Sequence, residues 1–169
     1  MTDPADTPAL PSPERIQALF LDAARSGHDE AVAALLRAGA AVEVADARGY
    51  TALVLASYNG HLSTTALLLD AGARPEGATD AQGNSALMGV AFKGHADIAR
   101  LLVARGADVN YQNRAGQTAA MMATLFRQEA ILDLLIAHGA DLSIADTSGN
   151  SARTLAMMQG NAALAERLS

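Results

Sequence analysis

The stretch that decides the fold runs from Asp80 to Gln112 and reads DAQGNSALMGVAFKGHADIARLLVARGADVNYQ. Three glycines, Gly83, Gly94 and Gly106, divide it into two short apolar segments and a polar turn. Glycine is the residue that most readily adopts the left-handed backbone conformation in turns and at helix ends. The stretch therefore predicts two short helices, each followed by a turn that contains glycine.

The same markers recur along the whole chain. The first glycine belongs to a series with steps of 34, 33 and 33 residues: Gly49, Gly83, Gly116 and Gly149. The second marker recurs at the positions Gly27, Gly60, Gly94, Arg127 and Gly160. Gly-Ala pairs form a third series: Gly39-Ala40, Gly72-Ala73, Gly106-Ala107 and Gly139-Ala140. Three independent markers that share one period are typical of a protein built from stacked structural repeats.

Local signals predict two helices in each unit. A hydroxyl residue stands two positions after each glycine of the first series, as Thr51, Ser85, Thr118 and Ser151. We predict these residues to be helix N-caps, because a side-chain oxygen there can accept a free backbone N–H. The second helix carries the apolar runs Leu67–Leu69, Leu101–Val103 and Leu134–Ile136. Gly72, Gly106 and Gly139 are predicted to end it.

Residues 13–169 resemble the ankyrin-repeat family, because the markers described above follow one another in the order typical of that family. The matching elements are Asp46 with Gly49–Val54, Asp80 with Gly83–Met88, the pairs Gly27-His28, Gly60-His61 and Gly94-His95, and the run Gly106–Asn110. The resemblance implies an all-α, ankyrin-repeat solenoid of stacked helix-turn-helix units with protruding hairpin loops. The sequence departs from the family pattern in three ways. The histidine of the Thr-Pro-Leu-His element is replaced by Val54, Met88, Met121 and Thr154. Alanine replaces the proline of the Thr-Pro-Leu-His element in every unit, and Arg127-Gln128 replaces one Gly-His pair, so we expect less rigid turns before the first helices.

The repeat register predicts the division of the chain into units. We expect a disordered, acidic and proline-rich leader at 1–12, an N-terminal capping unit at 13–45, repeats at 46–79, 80–112 and 113–145, and a C-terminal capping unit at 146–169. Repeat 46–79 has one extra residue, which falls in the hairpin around Pro75-Glu76-Gly77. We expect the extra residue to alter that hairpin alone, because loops absorb insertions at a small entropic cost.

Composition and charge exclude several classes of protein. The 169 residues carry a formal net charge of −6, and the twelve basic residues form no run or stripe. We therefore expect no nucleic-acid partner and no membrane partner, because both present negative charge to a protein. There is no cysteine, which excludes disulfides, thiolate catalysis and cysteine-based metal sites.

The first residues and the amino-acid usage bear on location and source. The acidic amino terminus lacks the basic and apolar regions of a signal peptide, and no apolar stretch is long enough to span a bilayer. We predict a cytoplasmic protein, with secretion as an effector left open. All basic residues except Lys93 are arginine, which together with the alanine excess indicates a GC-rich, bacterial source.

The histidines invite a metal-binding interpretation. His28, His61 and His95 occur once per unit at equivalent positions. Packed helix layers lie about 8–10 Å apart, whereas zinc holds each ligand nitrogen at about 2.1 Å, so three such histidines cannot share one ion. We expect these rings to bond backbone in the turns between the helices and His138 to be solvated. The sequence predicts no metal site.

Other candidate chemistry is equally weak. The serines and threonines are mostly helix caps, and neither a nucleophile elbow nor a phosphate loop is present. The pairs Met121-Met122 and Met157-Met158 could form a copper-binding or redox-sensitive patch, but methionine commonly fills cores, and we expect it to do so here. We predict that the protein is not an enzyme and has neither catalytic residues nor a cofactor.

The aromatic residues point to one face. In ankyrin proteins the hairpin tips and the exposed side of the first helices form a concave face that binds partners. The register places Tyr58, Phe92, Leu125 and Met158 at one equivalent position on that face, and Phe20 in the core. The residues predicted to bind a partner are Arg48, Tyr50, Tyr58, Asn59, Phe92, Lys93, Tyr111, Arg114, Leu125 and Phe126. Aromatic and arginine anchors carry much of the energy of protein interfaces, although Phe92, Leu125 and Phe126 could instead pack against neighbouring helices.

The resemblance implies a non-enzymatic module that binds a protein partner through this concave face, as a regulator or accessory of another protein. We expect it to be monomeric. Two alternatives stay open: a sensor of small molecules or peptides that uses a groove lined by Met and Phe side chains, and a secreted effector that acts on host proteins.

Overall fold

The computed structural model describes residues 11–76 and 79–169, so the predicted leader lies outside the described residues except for its last two positions. Within these ranges the chain forms ten α-helices and no β-strand. The helices are α1 (Pro13–Ser26), α2 (Asp29–Arg37), α3 (Ala52–Tyr58), α4 (Leu62–Asp70), α5 (Ala86–Lys93), α6 (Ala96–Ala104), α7 (Ala119–Leu125), α8 (Glu129–Ala137), α9 (Ala152–Met158) and α10 (Ala162–Arg167). Each predicted unit contains one pair of helices, and the unit boundaries themselves stay a prediction.

The helix ends follow the predicted signals. The N-caps of α3, α5, α7 and α9 each accept the backbone N–H three residues ahead: Thr51, Ser85, Thr118 and Ser151. The glycines that follow α4, α6 and α8 have φ angles of 93°, 89° and 83°: Gly72, Gly106 and Gly139. Both predictions are confirmed, because local hydrogen bonding and backbone freedom set these positions without help from distant contacts.

The helices stack in two layers. The first-helix layer consists of α1, α3, α5, α7 and α9, each packed on the next. The second-helix layer contains α2, α4, α6 and α8, which also pack in order, and α10 packs on α9. One apolar core runs between the layers from Phe20 to Leu168. Phe20 is fully buried, as the sequence predicted.

The methionines divide between the core and the surface. Met121 is buried and Met122 lies at the edge of the core. The prediction of a core role was wrong for Met157 and Met158, which are 58% and 75% exposed. Positions equivalent to Met157 in the preceding units are fully buried against the next helix, for example Thr124. Within the described residues, α9 packs on α7 and α10, and no further first helix lies over Met157.

A row of polar side chains links successive units at the turns after the second helices. Each accepts a backbone N–H about one repeat further along the chain: Glu43 from Arg74, Glu76 from Asp108 and Asn110 from Asp141. The three bonds measure 2.7–2.8 Å. Because each unit bonds the next at the same place, the row sets the register of the stack.

The predicted insertion falls partly outside the described residues, since Gly77 and Ala78 belong to the gap. The helices on either side of it pack as their equivalents do elsewhere. α3 lies on α5 and α4 lies on α6, so the stack continues across the longer hairpin.

Candidate functional site

An open groove runs along the first-helix layer. It has a volume of about 1000 Å³ and lies between helices α3, α5 and α7 and the hairpin turns that precede them. Its walls combine turn residues such as Arg48 and Asp80 with helix residues such as Tyr58, Met88 and Met122. A second, shallower groove of about 670 Å³ adjoins it at α1 and shares Arg25 and Asp46 with it. The continuous surface crosses several units.

Three aromatic side chains form a ladder along the groove. The rings of Tyr58 and Phe92 stack with centroids 6.2 Å apart and planes 8° apart. Phe92 meets Phe126 edge-on, with centroids 4.4 Å apart and planes at 71°. The side chains remain 39%, 39% and 44% exposed. Ring pairs in these geometries attract each other beyond their burial alone, so the ladder holds its shape while presenting ring surface to solvent.

The ladder follows from the ends of the first helices. Tyr58 closes α3, and Phe92 stands one residue before the end of α5. In the next unit the equivalent position holds Leu125, which is partly buried against the core, and Phe126 follows as the C-cap of α7. The third ring is therefore one residue out of register with the first two, yet it reaches Phe92.

Gly89, in the middle of α5, carries no side chain, and the Tyr58 ring lies against it. The equivalent positions in the neighbouring units are Leu55 and Met122, which also line the groove. A Cβ atom at Gly89 would lie 3.3 Å from Cδ2 of Tyr58. Sequence reasoning missed Gly89, although its lack of a side chain where both neighbouring repeats carry a large one was visible in the repeat register.

Carboxylates and one amide hold the hairpin turns that form the outer wall. In each turn one Oδ1 atom accepts two backbone N–H groups, two and four residues ahead: Asp46, Asp80, Asn113 and Asp146. The backbone N–H of Asn150 lowers the pKa of Asp146 below its usual range, and the N–H of Ser148 acts in the same direction. The turns are thus fixed by local bonds, and the tip residues between them project from a defined frame.

Neighbouring turns also bond to each other. The backbone N–H of Arg114 donates to the carbonyl of Gln82 at 3.1 Å, and the N–H of Thr147 donates to the carbonyl of Ala115 at 2.9 Å. The turns that follow Asp80, Asn113 and Asp146 are therefore bonded in a row, which keeps their tip residues in fixed relative positions.

Most of the predicted partner-binding residues come together in the groove. Seven of the ten line it: Arg48, Tyr50, Tyr58, Asn59, Phe92, Leu125 and Phe126. Lys93 does not line it, but its Nζ atom lies 5.2 Å from the centroid of the Tyr58 ring. Arg114 is exposed on a neighbouring turn, and Tyr111 packs half-buried against the core. The structure does not bring these last two side chains into the groove.

The rings of His61 and His95 contact backbone, as expected, but across unit boundaries, whereas the His28 ring makes no such bond to a described residue. Nε2 of His61 donates to the carbonyl of Arg25 at 3.0 Å, and Nε2 of His95 donates to the carbonyl of Tyr58 at 3.1 Å. His138, expected to be solvated, is exposed but also donates from Nδ1 to the carbonyl of Leu134. Across residues 11–76 and 79–169, no three metal-ligating side chains lie close enough to share an ion.

The fold and the groove define a class: a helical repeat protein with one continuous recognition face. A sequence profile of ankyrin repeats, in three copies, matches residues 19–113, more than half of the chain. The chain therefore belongs to the ankyrin-repeat family. Ankyrin repeats generally serve as modules for protein–protein interaction.

Part of the chain is also similar in sequence to another ankyrin-repeat protein. The chain is 42% identical over 72 residues to the Caenorhabditis elegans protein named "Ankyrin repeat and KH domain-containing protein mask-1". This match covers 43% of the chain and only 3% of the much longer relative. Within the described segments, none of the helices has the length and apolar character needed to cross a membrane.

Proposed function

We propose that this chain is a non-enzymatic interaction module that binds a protein partner through the groove of its first-helix layer, as a regulator or accessory of that partner. The observation that carries the proposal is the aromatic ladder of Tyr58, Phe92 and Phe126, which spans three repeats and stays more than one-third exposed. Large aligned apolar groups at a protein surface commonly mark interaction sites.

The ladder is suited to carry binding energy. Tyr58 and Phe92 are stacked, and Phe126 closes on Phe92, so the rings have already lost much of the freedom that binding would remove. Preorganised side chains lose less entropy on binding than mobile ones. Aromatic anchors surrounded by polar contacts are typical of interface hot spots, and Arg48 and Asn59 supply polar groups beside the rings.

The scaffold supports the same function. The groove wall consists of helices packed on one core and of turns tied together by backbone bonds. A surface of this kind recognises a partner without a large change of shape. Nothing in this mode of action requires a cofactor, a metal ion or a catalytic group, and we propose that the chain acts as a monomer.

A capture experiment tests the proposal. The full chain and the double variant Tyr58→Ala/Phe92→Ala would be immobilised and exposed to extract from the source organism. The matched control is Leu62→Ala, because Leu62 is 44% exposed but lies on α4 in the second-helix layer. We expect a protein that the wild type and the control retain and the double variant loses.

Thermal melting of each variant excludes unfolding as the cause of such a loss. If a folded double variant retained every protein that the wild type retains, the groove would not be the binding site.

A second candidate function is a sensor of small molecules. The observation in its favour is the groove volume of about 1000 Å³ beside Met88, Met122, Leu125 and Phe126, which lies at the upper end of the range for ligand pockets. A thermal-shift screen tests it. A compound that raises the melting temperature of the wild type, but not that of Met122→Ala, would support a sensor in place of a protein-binding module.

A further inference from the structure

We infer that Met157 and Met158 form a redox-sensitive site, at which hydrogen peroxide oxidises the folded protein and leaves the buried methionines intact. The product is methionine sulfoxide, and its formation makes the α9 end of the first-helix layer more polar without unfolding the chain. The inference needs no partner at the groove, so it is independent of the proposed function.

The first observation is the difference in exposure among the methionines. Met158 and Met157 are 75% and 58% exposed, whereas Met88 and Met121 are each 1% exposed. Met122 lies between these extremes, half-buried beside the groove. Oxidation of methionine follows the access of the oxidant to the side chain. Among residues 11–76 and 79–169, the two methionines of α9 are therefore the first that a peroxide in solution reaches.

The position of Met157 in the stack explains its exposure. In the preceding units the equivalent residue is fully buried, and the next first helix packs on the helix that carries it: Ala24, Ser57, Ala91 and Thr124. Within the described residues, α9 packs on α7 and α10 instead. The core role that the residue type favours is therefore not realised at Met157, and the redox-sensitive interpretation of the pair gains its support from that exposure.

The second observation is the place of Met158 relative to the groove. Met158 occupies the repeat position that Tyr58, Phe92 and Leu125 hold in the preceding units, and those three residues line the groove. The next residue, Gln159, donates from Nε2 to the carbonyl of Leu125 at 2.8 Å. Because this bond fastens the end of α9 to the end of α7, oxidation at Met158 changes the surface one unit beyond the groove.

The chemistry needs only hydrogen peroxide as a co-reactant. The thioether sulfur donates an electron pair to one peroxide oxygen, so that an S–O bond forms and the O–O bond breaks. The proton on the transferred oxygen passes to the departing hydroxide, which leaves as water. Sulfur is thereby oxidised by two electrons and the peroxide is reduced. The chain has no cysteine that would react in place of methionine, and the sulfoxide is a polar group where an apolar one stood.

The first step of the test treats the full chain with hydrogen peroxide and follows each methionine by peptide mapping with mass spectrometry. Fragmentation spectra separate the adjacent Met157 and Met158. Both should be oxidised about tenfold faster than Met88 and Met121, with Met122 in between. The matched control is the same chain in concentrated guanidinium chloride, where the five residues should react at similar rates because no folded structure protects them.

The second step assigns the change of polarity to the pair. The double variant Met157→Leu/Met158→Leu keeps the apolar volume but has no sulfur to oxidise at these positions, and Met122→Leu is its control. Peroxide should make the wild type and the control elute earlier from a hydrophobic-interaction column, and it should shift the double variant less. Met1, which lies outside the described residues, is common to all three proteins and does not affect the comparison.

The third step shows whether the oxidised protein stays folded. Its melting temperature should remain within about 2 °C of the value before oxidation, as expected for changes at surface positions. The two methionine sulfoxide reductases, one for each epimer of the sulfoxide, should restore the column retention of the folded protein, because exposed sulfoxides are open to an enzyme.

Three results would overturn the inference. Equal oxidation rates for the α9 pair and for Met88 in the folded chain would show that folding does not select the site. A melting temperature lowered by many degrees would show that oxidation acts by loosening the core. A retention shift of the same size in Met157→Leu/Met158→Leu as in the wild type would assign the change of polarity to another methionine.

Discussion

The two helix layers are built from the same repeat, but they differ in what they present to solvent. Helices of both layers bury side chains completely, for example Leu87 in α5 and Leu102 in α6. The second-helix layer carries carboxylates, and an ion pair joins Arg105, just after α6, to Asp70 of α4 at 2.8 Å. The first-helix layer exposes aromatic rings and has no acidic residue from α3 onward.

This difference separates two kinds of constraint. Packing demands apolar side chains on the buried side of every helix, and both layers satisfy it equally. The outward side is free of that demand. The second-helix layer carries most of the helix carboxylates, whereas the first-helix layer keeps three aligned rings more than one-third exposed. The groove is therefore the part of the surface whose composition packing alone does not explain.

The largest expected loss of stability comes from replacing a buried leucine, and it is compared here with the replacement of an exposed ring. Leu102→Ala should cost about 2–5 kcal/mol of unfolding free energy, because the side chain is fully buried. Phe92→Ala should cost less, about 1–2 kcal/mol, because it loses two ring contacts from a side chain that is only partly buried. Urea unfolding of both variants measures the contrast. Equal losses would show that the ladder is a structural element.

An intermediate effect is expected where the two layers join. Gly94 has a φ of 84°, and an added Cβ would lie 2.6 Å from Oε1 of Gln128, so Gly94→Ala should cost about 1–3 kcal/mol. Arg127 stands at the same position of the next repeat with a φ of 55°. Arg127→Gly should therefore stabilise the protein by about 1 kcal/mol. Thermal unfolding measures both changes in stability, which should have opposite signs. If Arg127→Gly destabilised the protein, the positive φ of Arg127 would not be a source of strain.

The residue of the last unit that is equivalent to Gln128 is Asn161, whose side chain accepts the backbone N–H of Leu164.

The smallest expected effect depends on pH. Burial raises the pKa of Glu76 above its ordinary value of 4.5, and the nearby Asp108 carboxylate acts in the same direction. The folded state therefore holds this proton more tightly than the unfolded state, and the contribution of Glu76 to stability falls as the pH rises through and above 4.5. Glu76→Gln should stabilise the protein at pH 7 by no more than about 1 kcal/mol, with the gain disappearing towards pH 4.

The equivalent residue of the preceding unit supplies the control. Glu43 accepts the backbone N–H of Arg74 through Oε1 and pairs with its guanidinium at 3.4 Å through Oε2. Glu43→Gln removes that ion pair and should not stabilise the protein at any pH. Urea unfolding at pH 4, 5.5 and 7 compares the two variants. A gain for Glu76→Gln that is the same at all three values would argue against titration of the carboxyl.

Local patterns in the sequence predicted the fold because each acts over a few residues. Thr51 caps a helix through a bond to Val54, and Gly72 ends one through its own backbone freedom. Repetition of such signals at one period then predicted stacking, because helix pairs of this length bury enough apolar surface only against one another. The same register also selected the seven predicted residues that line one groove in the structure.

What the register could not predict depends on atoms far apart in sequence. The repeat register assigns Tyr58 and Tyr111 to the same face. In the folded protein, however, Tyr111 is partly covered by the core, whereas Tyr58 stacks on Phe92. The residue type favoured a core position for Met157, but in the described residues no further first helix covers that side of α9, and the side chain is 58% exposed. The sequence by itself thus determined the helices, their caps and their order of stacking. Only the tertiary structure decided which side chains remain open to a partner, because exposure is a property of neighbours brought together by folding.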